Sequence, residues 1–319
     1  MTDQTSSAGI PAPDFRLPTA TRLGLVRLQI ADLPRSLDYY ERVLGFRVLE
    51  RSAGLATLGT ADGTPLVQLQ ARAGARPAPS QGRLGLYHYA ILLPDRPALG
   101  RFITHLSQLG ERAGASDHLV SEALYLRDPD GLGIEVYVDR PRSSWGRQGQ
   151  EIAMDTSPLD VGSVVRAANG EPWTGMPDGT RVGHVHLHVG DLQKASDFYH
   201  LALGLDRMVW SYPSALFLSA GGYHHHLGLN TWAGPGAVDP RDDDARLLEW
   251  TIVLPSAEQV HAAATSLSAA SHQLEHDGHG VRAVDPWGTR FRIVDEESYA
   301  RLTAGSGHAA DAAVSGAGR

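Results

Sequence analysis

GLVRLQIADLPRSLDYYERVLGF (24–46) and GHVHLHVGDLQKASDFYHLALGL (183–205) are two copies of one pattern within a single chain. Asp32 and Asp191, Tyr40 and Tyr199, and Leu44-Gly45 and Leu203-Gly204 fall at identical spacing. Each copy opens on a run of alternating character, turns at Asp-Leu, continues as an amphipathic stretch and stops at Gly. That is the pattern of a strand followed by a capped helix. Short strand-like runs follow, LATLGT and PLVQLQ after the first copy, SALFLSA and HHLGLNTW after the second.

Two more stretches share the plan. YHYAILLPDRPALGRFITHLSQLG (87–110) and EWTIVLPSAEQVHAAATSLS (249–268) each lead to an Asp-Pro-x-Gly turn, DPDG at 128–131 and DPWG at 285–288, and then to a strand. The chain therefore carries four modules of strand, helix and three strands, with a period of roughly 50 to 60 residues. An α+β fold of four βαβββ modules is expected. Its boundaries read as a flexible N-terminus (1–20), modules one and two (21–140), a Gly/Pro/Ser-rich linker (141–181), modules three and four (182–300) and a flexible tail (301–319).

Bulk composition narrows the function. The 319 residues are 42% hydrophobic and 20% charged, an ordinary globular balance. A formal net charge of −8 argues against nucleic acid as a partner. No apolar run is long enough for a membrane span, and MTDQTSSAGIPAPDF does not read as a secretory signal, so a cytoplasmic protein is expected. With no cysteine, any metal must be held by His, Asp, Glu or water. Oligomeric state stays open, a homo-oligomer included.

The Asp-Leu turn, the Phe/Tyr-Tyr pair, the Leu-Gly stop and the Asp-Pro-x-Gly turn together resemble the vicinal oxygen chelate (glyoxalase/bleomycin resistance/dioxygenase) superfamily. The resemblance covers about 22–140 and 182–297. It implies paired modules curled into half-barrels, with metal ligands on the first and last strands of a module. Counting seven residues back from Asp32, Asp95, Asp191 and Ser256 finds Leu25, His88, His184 and Glu249. Counting seven forward from Asp128 and Asp285 finds Glu135 and Arg292. Only module two paired with module three completes a set, His88, Glu135 and His184. Two histidines and one carboxylate with open positions suit non-haem Fe(II), and Mn(II) accepts the same donors. Modules one and four would then form a metal-free partner in which Arg292 and Glu249 replace the ion with an ion pair.

DHLVSEALYLRDPDGLGIE (117–135) sharpens the expectation. Its His118, Leu124-Tyr125, Asp128-Pro129, Gly131 and Glu135 resemble the signature of type I extradiol ring-cleavage dioxygenases, with Ser116 departing from the usual residue two before the His. In that family the matching His and Tyr contact the hydroxyls of a bound catechol and the Glu ligates iron. GGYHHHLGLNTW (221–232) is similar to the short strand that carries an active-site His there, which puts His225 at the catalytic place and leaves His224 and His226 as alternatives. His186, two residues along the strand from His184, is expected to face the same cavity. The bland alternatives are a core Tyr125, a loop His118 and a polar surface run of histidines. The resemblance implies a catechol-type substrate and O2 as partners. The competing readings are a redox-neutral isomerase or lyase using another divalent ion, and a ligand-sequestering resistance protein with no metal.

Overall fold

The computed structural model describes residues 8–304. Four βαβββ modules are present, opening on the strands Arg22–Ile30, Gly85–Leu92, Arg181–His188 and Arg246–Leu254. The repeated Asp is a helix cap. Asp32, Asp95 and Asp191 each accept the backbone N–H three residues on, at 2.8, 2.8 and 2.7 Å, and Ser256 caps the fourth helix in the same way. The repeated Gly takes the left-handed backbone that ends a helix, with φ of +78° at Gly45 and +91° at Gly204.

The modules pair as the ligand count requires. Strand Gly85–Leu92 runs antiparallel to Arg181–His188, joining modules two and three in one nine-stranded sheet. Strand Arg22–Ile30 runs antiparallel to Arg246–Leu254, joining modules one and four in an eight-stranded sheet. Modules adjacent in sequence are tied across the two sheets instead. Tyr40 of module one donates to Asp128 of module two at 3.2 Å, and Tyr199 of module three donates to Asp285 of module four at 3.0 Å. The other carboxylate oxygen of each Asp closes its own turn. Asp128 accepts the amides of Asp130 and Leu132, and Asp285 those of Trp287 and Thr289. One shared apolar core, including Leu28, Ile30, Ile91, Val185, Trp250 and Phe291, lies between these layers.

Three stretches differ from the sequence expectation. Of the N-terminal 20 residues, 1–7 lie outside the described residues, but 8–20 are anchored. Buried Asp206 accepts from the amide of Ala12 at 3.1 Å and from the Arg16 guanidinium at 2.8 Å, and Leu17 is buried in the core. The 141–181 stretch contains the helix Val161–Ala167 and places Val164 and Met176 in the core, so apolar burial fixes it despite its Gly/Pro content. Of the tail, Arg301–Ala304 end the helix Glu296–Ala304, and 305–319 lie outside the described residues. Among the described residues no helix is long and apolar enough to cross a membrane.

Asp285→Ala strips the partner from two backbone amides and from the buried Tyr199 hydroxyl. A loss of about 2–4 kcal/mol in unfolding free energy is expected by chemical denaturation, and a change below 0.5 kcal/mol, roughly the surface-substitution level, would contradict this role.

Candidate metal centre and active site

Three adjacent strands bring the donors together on one face. Ala90 lies opposite His184 on one side and beside Glu135 on the other, and His88 lies opposite His186. A residue as small as Ala90, fully buried between two neighbours with long side chains, leaves those chains room to converge. The Nε2 atoms of His88 and His184 both sit 2.9 Å from Oε2 of Glu135. One ligand atom from each residue lies within 4.8 Å of the others, and all three residues are buried.

The donor set fits a divalent metal. Nε2 of His88, although 2.9 Å from the carboxylate, is buried without a properly directed hydrogen bond, as expected of a lone pair aimed at an ion. Burial alone would raise the Glu135 carboxyl, yet the two histidines facing it hold it well below the usual carboxylate range. Burial pushes His88 down against the pull of Glu135. Both therefore present the deprotonated forms that a metal needs. The ring of His184 is held by packing, with Tyr137 at 4.9 Å and His225 at 4.1 Å between ring centroids. Gly183 permits this, because a Cβ there would fall 1.8 Å from the Tyr137 hydroxyl.

A cavity of about 320 Å³ opens beside the three donors. His225, Tyr125, His118 and His186, all singled out from sequence, line it. Tyr125 lies directly across the strand pair from Glu135. His118 gives its Nδ1–H to the carbonyl of Asp155 at 2.8 Å, so its Nε2 accepts from the Tyr125 hydroxyl at 2.6 Å. The Tyr125 oxygen thus keeps its lone pairs for another donor.

The three successive histidines precede the strand Leu227–Asn230 rather than alternating along it, and each has its own task. His224 is buried with its Nε2 2.8 Å from Asp139 and its Nδ1 2.7 Å from Nδ1 of His225. His226 turns away, its Nδ1 taking the amide of Ala220 at 3.2 Å. His225 alone of the three faces the cavity. Asp139 can only accept, so His224 donates Nε2–H to it and accepts at Nδ1 from His225. That leaves Nε2 of His225 with a lone pair. Burial, reinforced by His184 and His224, pushes His225 well below the ordinary histidine range. His186 accepts from its neighbour, its Nε2 taking Nδ2–H of Asn230 at 2.9 Å. Gly228 makes room for that ring, since a Cβ would meet it at 2.7 Å.

Sequence reading missed part of the wall. Met154, Asp155 and Thr156 come from the stretch assigned to a linker, and Tyr212 from a loop; no motif or period marks them. Tyr87, beside His88, and Trp232, at the end of the quoted GGYHHHLGLNTW run, also line the cavity, 5.7 Å apart between rings.

The sheet pairing and the site define a class. Residues 22–136 and 181–293 both match the glyoxalase/bleomycin resistance protein/dioxygenase superfamily, and the chain belongs to that superfamily. A catechol-2,3-dioxygenase of Bacillus subtilis is 44% identical over 270 residues, 83% of this chain and 94% of that protein. A biphenyl-2,3-diol 1,2-dioxygenase of Rhodococcus globerulus is 31% identical over 160 residues, 46% of this chain and 83% of that one. Among solved structures, a B. subtilis putative dioxygenase superposes with a TM-score of 0.61 at 15% identity, over 88% of this chain and 86% of that one. Glyoxalase I of maize superposes with a TM-score of 0.53 at 16% identity, over 89% and 95%. At those identities the structural likenesses speak for the fold alone.

Glu135→Gln removes the one anionic donor. Metal content after purification should fall about tenfold or more, while the circular dichroism spectrum is unchanged; full metal retention would remove Glu135 from the ligand set.

Proposed function

We propose that this protein is an extradiol ring-cleavage dioxygenase, opening a catechol beside its diol and placing both atoms of O2 in the product, with Fe(II) held by His88, Glu135 and His184. The observation that carries this reading is the clustering of those three donors, two of which, His88 and Glu135, line a cavity that also holds His225 and the Tyr125–His118 pair. Identity of 44% to a catechol-2,3-dioxygenase supports it. Mn(II) would suit the same donors. Bound there, the ion supplies Lewis acidity toward the diol oxygens and redox chemistry toward O2.

The remaining work belongs to the chain's own groups. His225, neutral and with Nε2 unprotonated, takes a proton from the substrate and returns it later as acid. Asp139, acting through His224, fixes the tautomer that leaves Nε2 free. The Tyr125 oxygen accepts from a substrate hydroxyl, held in place by its own bond to His118. Tyr87, Tyr212, Phe217 and Trp232 cover the ring's far side and exclude water.

The wall also sets specificity. No Lys or Arg lines the cavity, whereas Glu135 and Asp155 both do. A carboxylate on the substrate ring, away from the diol, would be desolvated there without a side-chain cation to meet it. Uncharged catechols, bare or carrying an apolar substituent, are the substrate class.

Fe(II)-loaded protein should consume one O2 per catechol and give a coloured ring-opened product, followed by oxygen electrode and absorbance together. Failure to consume O2 with any catechol would overturn the reading. The kcat/KM for 4-methylcatechol should exceed that for 3,4-dihydroxybenzoate by about tenfold or more. His225→Gln should lower kcat by about 10²- to 10⁴-fold with metal content unchanged, and undiminished turnover would remove His225 from proton transfer.

A further inference from the structure

The half-barrel of modules one and four encloses a cavity of about 600 Å³ at the place equivalent to the metal site. Its residues correspond position by position to those of the other half-barrel. By repeat count, Leu25 stands for His184, Glu249 for His88 and Arg292 for Glu135. The strand registers extend the match. Arg27 lies opposite Glu249 as His186 lies opposite His88, and Arg282 lies opposite Arg292 as Tyr125 lies opposite Glu135. Even the supporting amide is kept, since Arg27 donates to Gln70 at 3.3 Å where Asn230 donates to His186. All five re-lined positions face the cavity.

Three of the five replacements or neighbours are guanidinium groups. Glu249 accepts from Nε of Arg292 at 3.1 Å and from Nε of Arg282 at 2.9 Å, and lies 3.7 Å from Arg27. Asp277 pairs with Arg292 at 2.5 Å and with Arg282 at 3.3 Å. A structural bridge in place of an ion would need only buried Arg292. The side chains of Arg27 and Arg282 instead stay 31% and 34% exposed. Like charges directly opposite on a strand pair are unfavourable, and here three cations meet two carboxylates. Burial pushes Arg27 below its ordinary value, and Arg282 and Arg292 add to that against Glu249. The surplus positive charge faces a cavity of ligand size whose lining also includes the apolar Leu25, Leu55 and Leu302, with Arg301 as a further cation.

We propose that this cavity is a second ligand site, one that binds a small carboxylate with an apolar body through Arg27 and Arg282. Arg27 gives Nε to Gln68 at 2.8 Å and Nη2 to Gln70, and Arg282 gives Nε to Glu249 and pairs Nη1 with Asp277. The remaining N–H groups of the two partly exposed guanidiniums meet the carboxylate, and the leucines receive the rest of the molecule.

Benzoate is the probe. Isothermal titration of the metal-loaded protein under nitrogen, with the catechol cavity filled by excess 4-methylcatechol, should show one benzoate per chain. Arg27→Gln and Arg282→Gln should each weaken it by about tenfold or more. Should Arg282→Gln fail to fold, Arg27→Gln carries the test, because its side chain is a third exposed and leaves the Glu249–Arg292 pair intact. No binding at millimolar benzoate, binding indifferent to Arg27→Gln, or binding abolished by the catechol would each overturn the proposal.

Discussion

Everything at the site depends on the antiparallel register between Gly85–Leu92 and Arg181–His188. Placing His186 opposite His88 and His184 opposite Ala90 puts all four side chains on one face, since alternate residues of a strand share a side. The parallel neighbour then sets Glu135 beside Ala90. A slip of one residue in either pairing would send the ligands to the apolar side. The register is secured from behind, where Tyr89, Ile91, Val185 and Leu187 are fully buried in the core. The three candidate donors are thus held by burial of their strand neighbours, and the short contacts between them follow from it.

The same constraint explains how two repeat pairs become one body. Strand pairing joins modules two and three, and one and four, while the Tyr40–Asp128 and Tyr199–Asp285 bonds join modules that follow each other in the chain. Neither pair of modules could be lifted out intact. The sheets are continuous across the chain's midpoint, and the helix-to-turn ties run within each half. The stretch 141–181 and residues 8–20 serve this arrangement in parallel ways: the amide of Met176 bonds Gly45 at 2.7 Å and that of Leu17 bonds Gly204 at 2.9 Å.

Much of this was legible because repeats turn counting into geometry. The spacing from Asp95, Asp128 and Asp191 led to His88, Glu135 and His184, and their distribution over modules two and three carried the topology with it. Legibility ended where the backbone leaves regular structure. His225 could not be separated from His224 and His226 by alternation, because the three lie in a bend ahead of their strand. Their roles are sorted by partners that alternation does not reveal, Asp139 far along the chain for His224 and Ala220 six residues back for His226. Met154, Asp155, Thr156 and Tyr212 reach the cavity through loops whose course depends on the finished fold, so no local pattern announces them.

The two half-barrels can be compared by charge. In one, a single carboxylate faces two histidines, and a divalent ion held by all three would leave a net charge of +1 at the centre. In the other, the cluster of Glu249 and Asp277 with Arg27, Arg282 and Arg292 sums to +1, and Arg301 lines the same cavity. Guanidinium groups reproduce the electrostatic outcome without an ion, at fixed positions and with no open coordination position. A site of that kind can attract and orient an anion but has nothing to offer O2. Duplication of the module therefore left two polar half-barrels, and the side chains at five equivalent positions decide which of them carries the candidate metal donors and which the guanidinium cluster.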